Sequence, residues 1–423
     1  MVKRVRERVA GLDVHRDSVV ACAQLPGDMG EVTEHRCRFA TTTAGVAELA
    51  EWLADLGVST VVMEATGVYW KPVYYGLEGL FPELWLVNAQ HVKNVPGRKT
   101  DMADAEWLAD VAAHGMVRPS LVPEPPLREL RELTRYRKSL VDERVREVQR
   151  LEKALQDAGI KLTSVVSRLM TKSARAMVEA LIRGERDPKV LAELAKGRMR
   201  PKIPALEEAL VGRFSAHHAV LATQVLAHVD FLDASIARLD EAVRERMGPF
   251  EAAVALLTEM PGWGRETAEV FLAETGADMS KFPTAAHLAS WCRISPANHE
   301  SAGKRKAVPK MPGKTWLGRA LIQAAKAAAR TDNTYFGAQY RHIARRRGPN
   351  KAAVAVAHSM VVTAWHLLTT GEHYADLGPD HFARRLQPER LAQRKLADLQ
   401  SIGWEVATNA DGSLTLRPPV LAA

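Results

Sequence analysis

The stretch Val9-Ala10-Gly11-Leu12-Asp13-Val14 predicts a β-strand, and Ser18-Val19-Val20-Ala21-Cys22-Ala23 predicts its hairpin partner across a short polar turn. Further strands are predicted at residues 36–39, 60–63 and 84–87, with helices at 44–56, 69–80 and from Asp101 onward. The resulting order of elements is βββαβαβα. Three strands followed by strands that alternate with helices predict a mixed sheet covered by helices.

Downstream, a basic segment leads into a predicted helix at Arg98-Lys99-Thr100-Asp101-Met102-Ala103-Asp104-Ala105. Two aspartates three residues apart lie on one face of a helix. Like charges at that spacing repel unless a cation lies between them, whereas a helix N-terminus by itself favours acidic side chains. Asp101 and Asp104 are therefore either metal ligands or part of a helix cap, with Thr100 or Asp101 as the capping residue.

Two further acidic residues fall at chemically informative positions of the predicted sheet. Asp13 lies in an otherwise apolar strand, where an unpaired carboxylate is costly, and Glu64 directly follows the fourth strand, at the edge where open α/β sheets place their sites. With Asp101 and Asp104 they could bind one or two Mg²⁺ ions, an arrangement typical of phosphodiester chemistry. The alternative is structural: Asp13 caps a turn and Glu64 is a satisfied strand-end residue.

The composition limits the class of protein. A chain of 423 residues predicts two or three domains, and 47% apolar residues suffice for buried cores. The net charge of +8 includes clusters such as Lys304-Arg305-Lys306 and Arg345-Arg346-Arg347, which favour a polyanionic partner. The three cysteines lack CxxC spacing, the N-terminus lacks a signal-peptide core, and polar residues interrupt the apolar run 352–368. We therefore expect a cytoplasmic protein with neither membrane span, disulfide framework nor zinc site.

Prolines between residues 119 and 126 predict a linker, which is followed by two segments with heptad spacing. In the first segment, positions 127, 134, 141, 148 and 155 recur every seven residues in a long amphipathic helix. In the second, apolar residues step by four and three: Val225, Val229, Leu232, Ile236, Leu239 and Val243. An intramolecular helical hairpin and an intermolecular coiled coil fit this pattern equally well. His217-His218, just before it, has no partner at ligand spacing and is expected to be structural.

The region 249–378 holds a second set of chemically informative residues. Met260-Pro261-Gly262-Trp263-Gly264 precedes a predicted helix in the form of a helix-hairpin-helix, whose backbone amides can contact phosphate, although a plain helical turn uses similar residues. Ser301 lies in a cationic, glycine-containing loop, either as a phosphate contact or as a nucleophile toward a phosphodiester. The predicted nucleic-acid contacts are Arg98, Lys99, Gly262, Gly264, Lys304, Arg305, Lys306, Lys310, Lys314 and Arg319.

Four motifs carry a family resemblance. Gly11-Leu12-Asp13-Val14-His15, Met63-Glu64-Ala65-Thr66-Gly67 and Lys99-Thr100-Asp101-x-x-Asp104-Ala105 resemble, in this order, the DEDD transposases of an insertion-sequence family related to the Piv DNA invertase. Glu300-Ser301-Ala302-Gly303-Lys304-Arg305 resembles the serine motif of the same family. The nearby Arg293-Ile294-Ser295-Pro296 departs from the usual Gly-Leu-x-Pro. The resemblance extends over residues 9–377.

The resemblance implies a RuvC-like, RNase H-like catalytic domain at residues 1–118, a helical assembly region at 119–248 and a transposase domain at 249–378, with no role assigned to 379–423. It implies that Asp13, Glu64, Asp101 and Asp104 bind Mg²⁺ and that Ser301 attacks DNA to form a phosphoserine link. The implied partners are DNA, a structured bridge RNA and further copies of the chain, as a dimer or tetramer, in a nucleoid-associated complex.

Two other functions compete with this one. The first is a Mg²⁺-dependent junction nuclease in which Ser301 only binds phosphate. The second is a nucleic-acid-binding protein with a degenerate acidic site, against which the four acidic residues argue. A covalent protein–DNA adduct distinguishes the recombinase from the nuclease.

Overall fold

The computed structural model describes residues 4–27, 31–65, 67–88, 104–295, 299–301, 304–306, 316–381, 388–409 and 413–418. The chain divides into two compact units, Met1–Pro123 and Glu124–Ala423. The second unit thus contains residues 124–248 of the predicted assembly region and the whole predicted transposase domain, and the domain boundaries that we expect after residues 118 and 248 stay predictions.

The first unit is built on a five-stranded mixed sheet. Its elements are β1 (Val9–Val14), β2 (Ser18–Pro26), β3 (Val32–Ala40), α1 (Thr43–Asp55), β4 (Thr60–Glu64), α2 (Trp70–Leu77), β5 (Glu83–Val87) and α3 (Asp104–Ala113). The strand order is β3-β2-β1-β4-β5; β2 pairs antiparallel with β1 and β3, and β4 pairs parallel with β1 and β5. The predicted element order and mixed sheet are confirmed, and the sheet is consistent with an RNase H-like domain. The predicted helix start, Asp101, lies outside the described residues.

Helices pack on both faces of this sheet, because successive residues of a strand point to opposite sides. Leu12 and Met63 are buried on one face, in a core that includes residues of α1 and α2. Val9 and Val62 are buried on the other face, in a smaller core with α3. The face that α3 covers also carries the candidate active site.

The described part of the second unit is mainly helical. Its helices are α4 (Pro125–Asp157), α5 (Leu162–Val165), α6 (Lys172–Ile182), α7 (Pro188–Glu193), α8 (Ile203–Ala209), α9 (Ala216–Met247), α10 (Glu251–Thr258), α11 (Arg265–Thr275), α12 (Ala285–Trp291), α13 (Trp316–Ala328), α14 (Tyr335–Arg347), α15 (Pro349–Thr370) and α16 (Pro388–Ser401). Two short hairpins pair β6 (His299–Ser301) with β7 (Lys304–Lys306) and β8 (Glu405–Thr408) with β9 (Leu414–Arg417). The hairpin β8–β9 was not predicted from the sequence.

The two heptad segments form one intramolecular hairpin of the long helices α4 and α9. Arg144 bonds to Asp233 at 3.0 Å, and Arg246 to Glu129 at 3.3 Å, so the two helices run antiparallel. On the heptad face of α9, Leu232 is 1% exposed. Of the two alternatives, this favours the intramolecular hairpin, because the most buried side chains of the face from Val225 to Val243 are covered within the chain; assembly into a dimer or tetramer stays a prediction.

A lobe of short helices, α5 to α8, links the end of α4 to the start of α9. Its core includes Met177, Leu206 and Phe214 together with Leu155 of α4. The lobe therefore continues the core of the long hairpin at one end.

Helix α15 is the predicted buried helix near residues 352–368. Ala353, Val356, Met360 and Ala364 on it are fully buried. By length and hydropathy alone, Ala216–Thr258 and Pro349–Thr370 could each cross a membrane, which is weak evidence, because core helices pass the same test.

Candidate active site

Asp13 and Glu64 lie side by side at the carboxyl ends of two neighbouring strands. The parallel pairing of β1 with β4 ends at Leu12 opposite Met63, and the two acidic residues each follow by one position. Residues at equivalent positions of adjacent parallel strands point to the same face, and the strands lie about 4.8 Å apart. Because Leu12 and Met63 face the core of α1 and α2, alternation directs Asp13 and Glu64 to the α3 face.

Gly11 allows helix α3 to lie directly on β1. A Cβ atom on Gly11 would lie 2.0 Å from the carbonyl oxygen of Ala105 and 2.6 Å from the backbone nitrogen of Ala109. No other residue type leaves room for the helix backbone at this distance. The glycine of the motif Gly11-Leu12-Asp13 therefore has a packing function that was not predicted from the sequence.

The direction of α3 brings its first residue to the edge that Asp13 and Glu64 occupy. Near the other end of the helix, the carbonyl oxygen of Ala113 accepts hydrogen bonds from the backbone amides of Val5, at 2.8 Å, and Arg6, at 3.1 Å, just before β1 begins. The helix thus runs antiparallel to β1, and Asp104, its first residue, lies at the carboxyl end of that strand.

A carboxylate in an apolar strand needs a partner, and the structure identifies one for Asp13. Its Oδ2 atom lies 3.1 Å from Nε2 of His15, and 28% of the Asp13 side chain is exposed. Carboxylate oxygens suit a hard cation such as Mg²⁺. Asp13, Glu64 and Asp104 nevertheless do not form a group whose ligand atoms all lie within 4.8 Å of one another; among the described residues such a group is found elsewhere. The fourth predicted ligand, Asp101, lies outside the described residues.

A second acidic residue of α3, Glu106, was missed by sequence reasoning. It is 5% exposed and pairs with Arg36 of β3, which also bonds to Glu34 at 2.8 Å. Burial raises the pKa of the nearby Cys22 thiol to about 11, and the charges of Glu34 and Glu106 act in the same direction. One feature of the sequence could have indicated its burial: Glu106 lies three residues before Ala109, on the buried side of the helix. Glu106 fixes α3 to the sheet and does not join the candidate site.

The predicted serine loop is a β-hairpin in the second unit. Ser301 ends β6, and the backbone register pairs it with Lys304; the next pairs are Glu300 with Arg305 and His299 with Lys306. Lys310 and Lys314, like Arg98 and Lys99 of the first unit, lie outside the described residues. The candidate acidic ligands and the candidate nucleophile therefore belong to different units of the chain.

The two glycines of the predicted helix-hairpin-helix have different surroundings. Gly262 has a φ of +86°, and a Cβ there would lie 2.5 Å from the carbonyl oxygen of Ala324 on α13, so this glycine serves a turn and a close packing contact. Gly264 caps the start of α11 and has open space around its Cα. Phosphate contact by either glycine stays a prediction.

Exposed arginines on α13 and α14 are consistent with a polyanionic partner. The guanidinium of Arg319 lies 4.6 Å from the centre of the Trp316 ring. Arg345, Arg346 and Arg347 form the exposed last turn of α14.

Two family models match the chain. A DEDD transposase model of the IS110 type matches residues 10–160, and the model described as transposase, IS116/IS110/IS902 family, matches residues 254–341. Together they span more than half of the chain and include the four candidate acidic ligands and Ser301. The chain belongs to the IS110 family of DEDD transposases. Membership of the IS110 family implies a recombinase enzyme that cleaves DNA with divalent metal.

Relatives of this IS110-family transposase align along most of its length. It is 25% identical over 379 residues to the transposase for insertion sequence element IS1111A of Coxiella burnetii, covering 87% of this chain and 91% of the relative. It is 28% identical over 372 residues to the insertion element IS900 uncharacterized 42 kDa protein of Mycobacterium paratuberculosis, covering 78% and 88%. The insertion element IS110 uncharacterized 43.6 kDa protein of Streptomyces coelicolor is 28% identical over 309 residues, covering 67% and 74%.

Proposed function

We propose that this transposase mobilises an insertion sequence by Mg²⁺-dependent strand cleavage and exchange through a phosphoserine–DNA intermediate. The observation that supports the proposal is that Asp13 of β1, Glu64 of β4 and Asp104 of α3 lie at the same edge of the sheet. Gly11 supports it, because the close approach of α3 fixes the position of Asp104 relative to Asp13. Ser301 contributes from the second unit, within the segment that the second family model matches.

The acidic residues bind and orient the reacting phosphodiester through a divalent cation. We infer that Asp13, Glu64 and Asp104 hold it together with Asp101, the fourth acidic residue of the family motifs. When bound, the cation supplies charge stabilisation at the attacked phosphate and at the leaving oxygen. His15, at 3.1 Å from Asp13, holds that carboxylate in place.

In the proposed step, the Ser301 hydroxyl gives up its proton, its oxygen forms a bond to phosphorus, and the bond from phosphorus to the leaving DNA oxygen breaks. The leaving oxygen takes up a proton. Lys304, Arg305 and Lys306 supply positive charge close to Ser301 in the sequence, which offsets the charge on the attacked phosphate. The number of phosphodiester bonds is unchanged, so the reverse reaction with a new DNA hydroxyl rejoins strands without ATP.

The covalent intermediate provides the test. End-labelled DNA carrying the junctions that flank the gene is incubated with protein, denatured and separated on a gel, where wild type should give labelled protein. We expect no labelled protein for Ser301→Ala with unchanged DNA binding, and a trace for Ser301→Cys. Ser290→Ala, an exposed serine of α12, is the matched control and should resemble wild type. A labelled adduct in Ser301→Ala would remove the serine from the mechanism and favour the metal-dependent nuclease.

The metal site has a separate test that does not depend on activity. Mg²⁺ should raise the melting temperature of the wild-type protein relative to EDTA, because ligand binding to the folded state stabilises it. Asp104→Asn, and likewise Asp13→Asn or Glu64→Gln, should lose this shift and all strand exchange. Each should also melt slightly higher than wild type in EDTA, because one of several like charges is removed. Asp110→Asn, on the same helix beside His114, is the control. An unchanged Mg²⁺ shift in the Asp104 variant would contradict the proposal.

We also propose that a structured bridge RNA guides the reaction, which rests on the family resemblance and on the clustered cations. Protein purified without nuclease should carry a discrete RNA encoded beside its gene. The RNA should be required for strand exchange, and its removal with ribonuclease should abolish activity that the same RNA, added back, restores. Full activity after ribonuclease treatment would contradict guidance.

A further inference from the structure

The end of α4 and the start of α9 bring two histidines and an aspartate together, outside the candidate active site. One ligand atom from each of Asp157, His217 and His218 can be chosen so that all three lie within 4.8 Å of one another. His218 is 5% exposed, whereas 73% of the Asp157 side chain is accessible. The group therefore has a buried side and a side open to solvent.

The serine that precedes the helix orients both imidazole rings. The Ser215 hydroxyl oxygen lies 2.8 Å from Nδ1 of His217 and 2.9 Å from Nδ1 of His218. A hydroxyl oxygen can accept a hydrogen bond from an Nδ1–H group, which leaves Nε2 of the same ring with a lone pair. Histidine ligands of metals almost always make such a bond with their second nitrogen.

The remaining contacts hold the three side chains close together. Nε2 of His218 lies 2.9 Å from Oδ2 of Asp157, and the rings of His217 and His218 are 3.8 Å apart between centres, inclined by 35°. Phe214 packs against the His218 ring at 5.6 Å and shields its buried side.

We propose that Asp157, His217 and His218 form a binding site for a borderline divalent cation such as Zn²⁺. Two imidazole nitrogens and one carboxylate oxygen are a known donor set for zinc, and they leave one tetrahedral position for water. Upon binding, the single proton of the neutral His218 ring moves from Nε2 to Nδ1 by exchange with solvent, Nε2 binds the metal, and Nδ1–H donates to the Ser215 hydroxyl. The site joins the two long helices at the point where the lobe α5 to α8 leaves and returns. Metal would therefore close the base of this lobe.

The alternative is a metal-free arrangement in which the same residues only cap α9. In the metal-free structure the Ser215 amide donates to Nδ1 of His218 at 3.2 Å, so Nε2 carries the ring proton and donates to Asp157. Both arrangements use the same atoms, so affinity for metal separates them.

The test uses full-length protein without a histidine tag, stripped of metal and kept in excess Mg²⁺. Mg²⁺ competes for carboxylate sites but poorly for imidazole, which isolates the new site from the candidate active site. Calorimetry should give one equivalent of Zn²⁺, and a hundredfold excess over Kd should raise Tm by roughly 5 °C. Co²⁺ should give the visible absorption of a tetrahedral site.

We expect His217→Ala and Asp157→Asn to weaken Zn²⁺ binding at least tenfold, and Ser215→Ala to weaken it about 10- to 100-fold. His217 and Asp157 are both exposed, so these substitutions should leave the fold intact, which circular dichroism checks. His228→Ala, on the same helix, should bind Zn²⁺ as wild type does. Equal affinity in His217→Ala and wild type, or no stoichiometric binding by wild type, would overturn the proposal.

Discussion

We expect Gly11→Ala to leave the first unit folded but to displace Asp104 within the candidate acidic site. The new Cβ would lie 2.0 Å from the Ala105 carbonyl oxygen and 2.6 Å from the Ala109 nitrogen. Both are backbone atoms of α3, so no side chain can rotate away, and relief to an ordinary contact moves the helix by about 1.4 Å. Overpacking of this kind costs about 1–3 kcal/mol of unfolding free energy. Asp104 moves with the helix, and a misplacement of about 1 Å can lower a rate about 10²-fold.

The assay for this variant combines thermal unfolding with excision of the element from a plasmid that carries the gene and its native flanks. We expect a lower Tm, a cooperative transition and excision reduced about 10²-fold. Gly248→Ala is the control, because a Cβ there meets nothing within 4 Å and its φ of −44° is ordinary. If Gly11→Ala excises at the wild-type rate, the close approach of α3 does not position Asp104, and the reasoning is refuted.

Two other predictions concern stability. Leu232→Asp places a charge in the covered face between α4 and α9 and should lower the free energy of unfolding by about 3–5 kcal/mol. Phe231→Asp, at a position that is 62% exposed, is the control and should change it by less than about 1 kcal/mol. Equal denaturation midpoints for the two variants would show that the hairpin does not bury this face. Hydrogen bonding from Arg6 lowers the pKa of Glu83 below its usual value of 4.5, so its stabilisation is present at neutral pH and lost as the pH falls through the lowered pKa. The Tm difference between wild type and Glu83→Gln should therefore be larger at pH 7 than at pH 3, and a constant difference would argue against this ion pair.

The sequence predicted correctly which elements carry three of the candidate ligands. Asp13 is in β1, Glu64 ends β4 and Asp104 opens α3, because apolar periodicity and helix-start signals are local properties of the chain. Glu106 was missed for the opposite reason. Its burial depends on Arg36, a residue 70 positions away on β3, and no local pattern reports that pairing.

Contacts between distant segments were decided by the tertiary structure alone. The heptad spacing around Leu232 fits either one chain or two, and only the antiparallel pairing of α4 with α9 shows that the face is covered within the chain. The sequence around His217 and His218 shows no third metal ligand, because Asp157 lies on another helix and the whole lobe separates it from the histidines along the chain. Periodicity and motif order depend on neighbouring residues, and so the sequence by itself determined the element order, the mixed sheet and the family. Register, helix approach and pairing depend on packing through space, which only the folded chain defines.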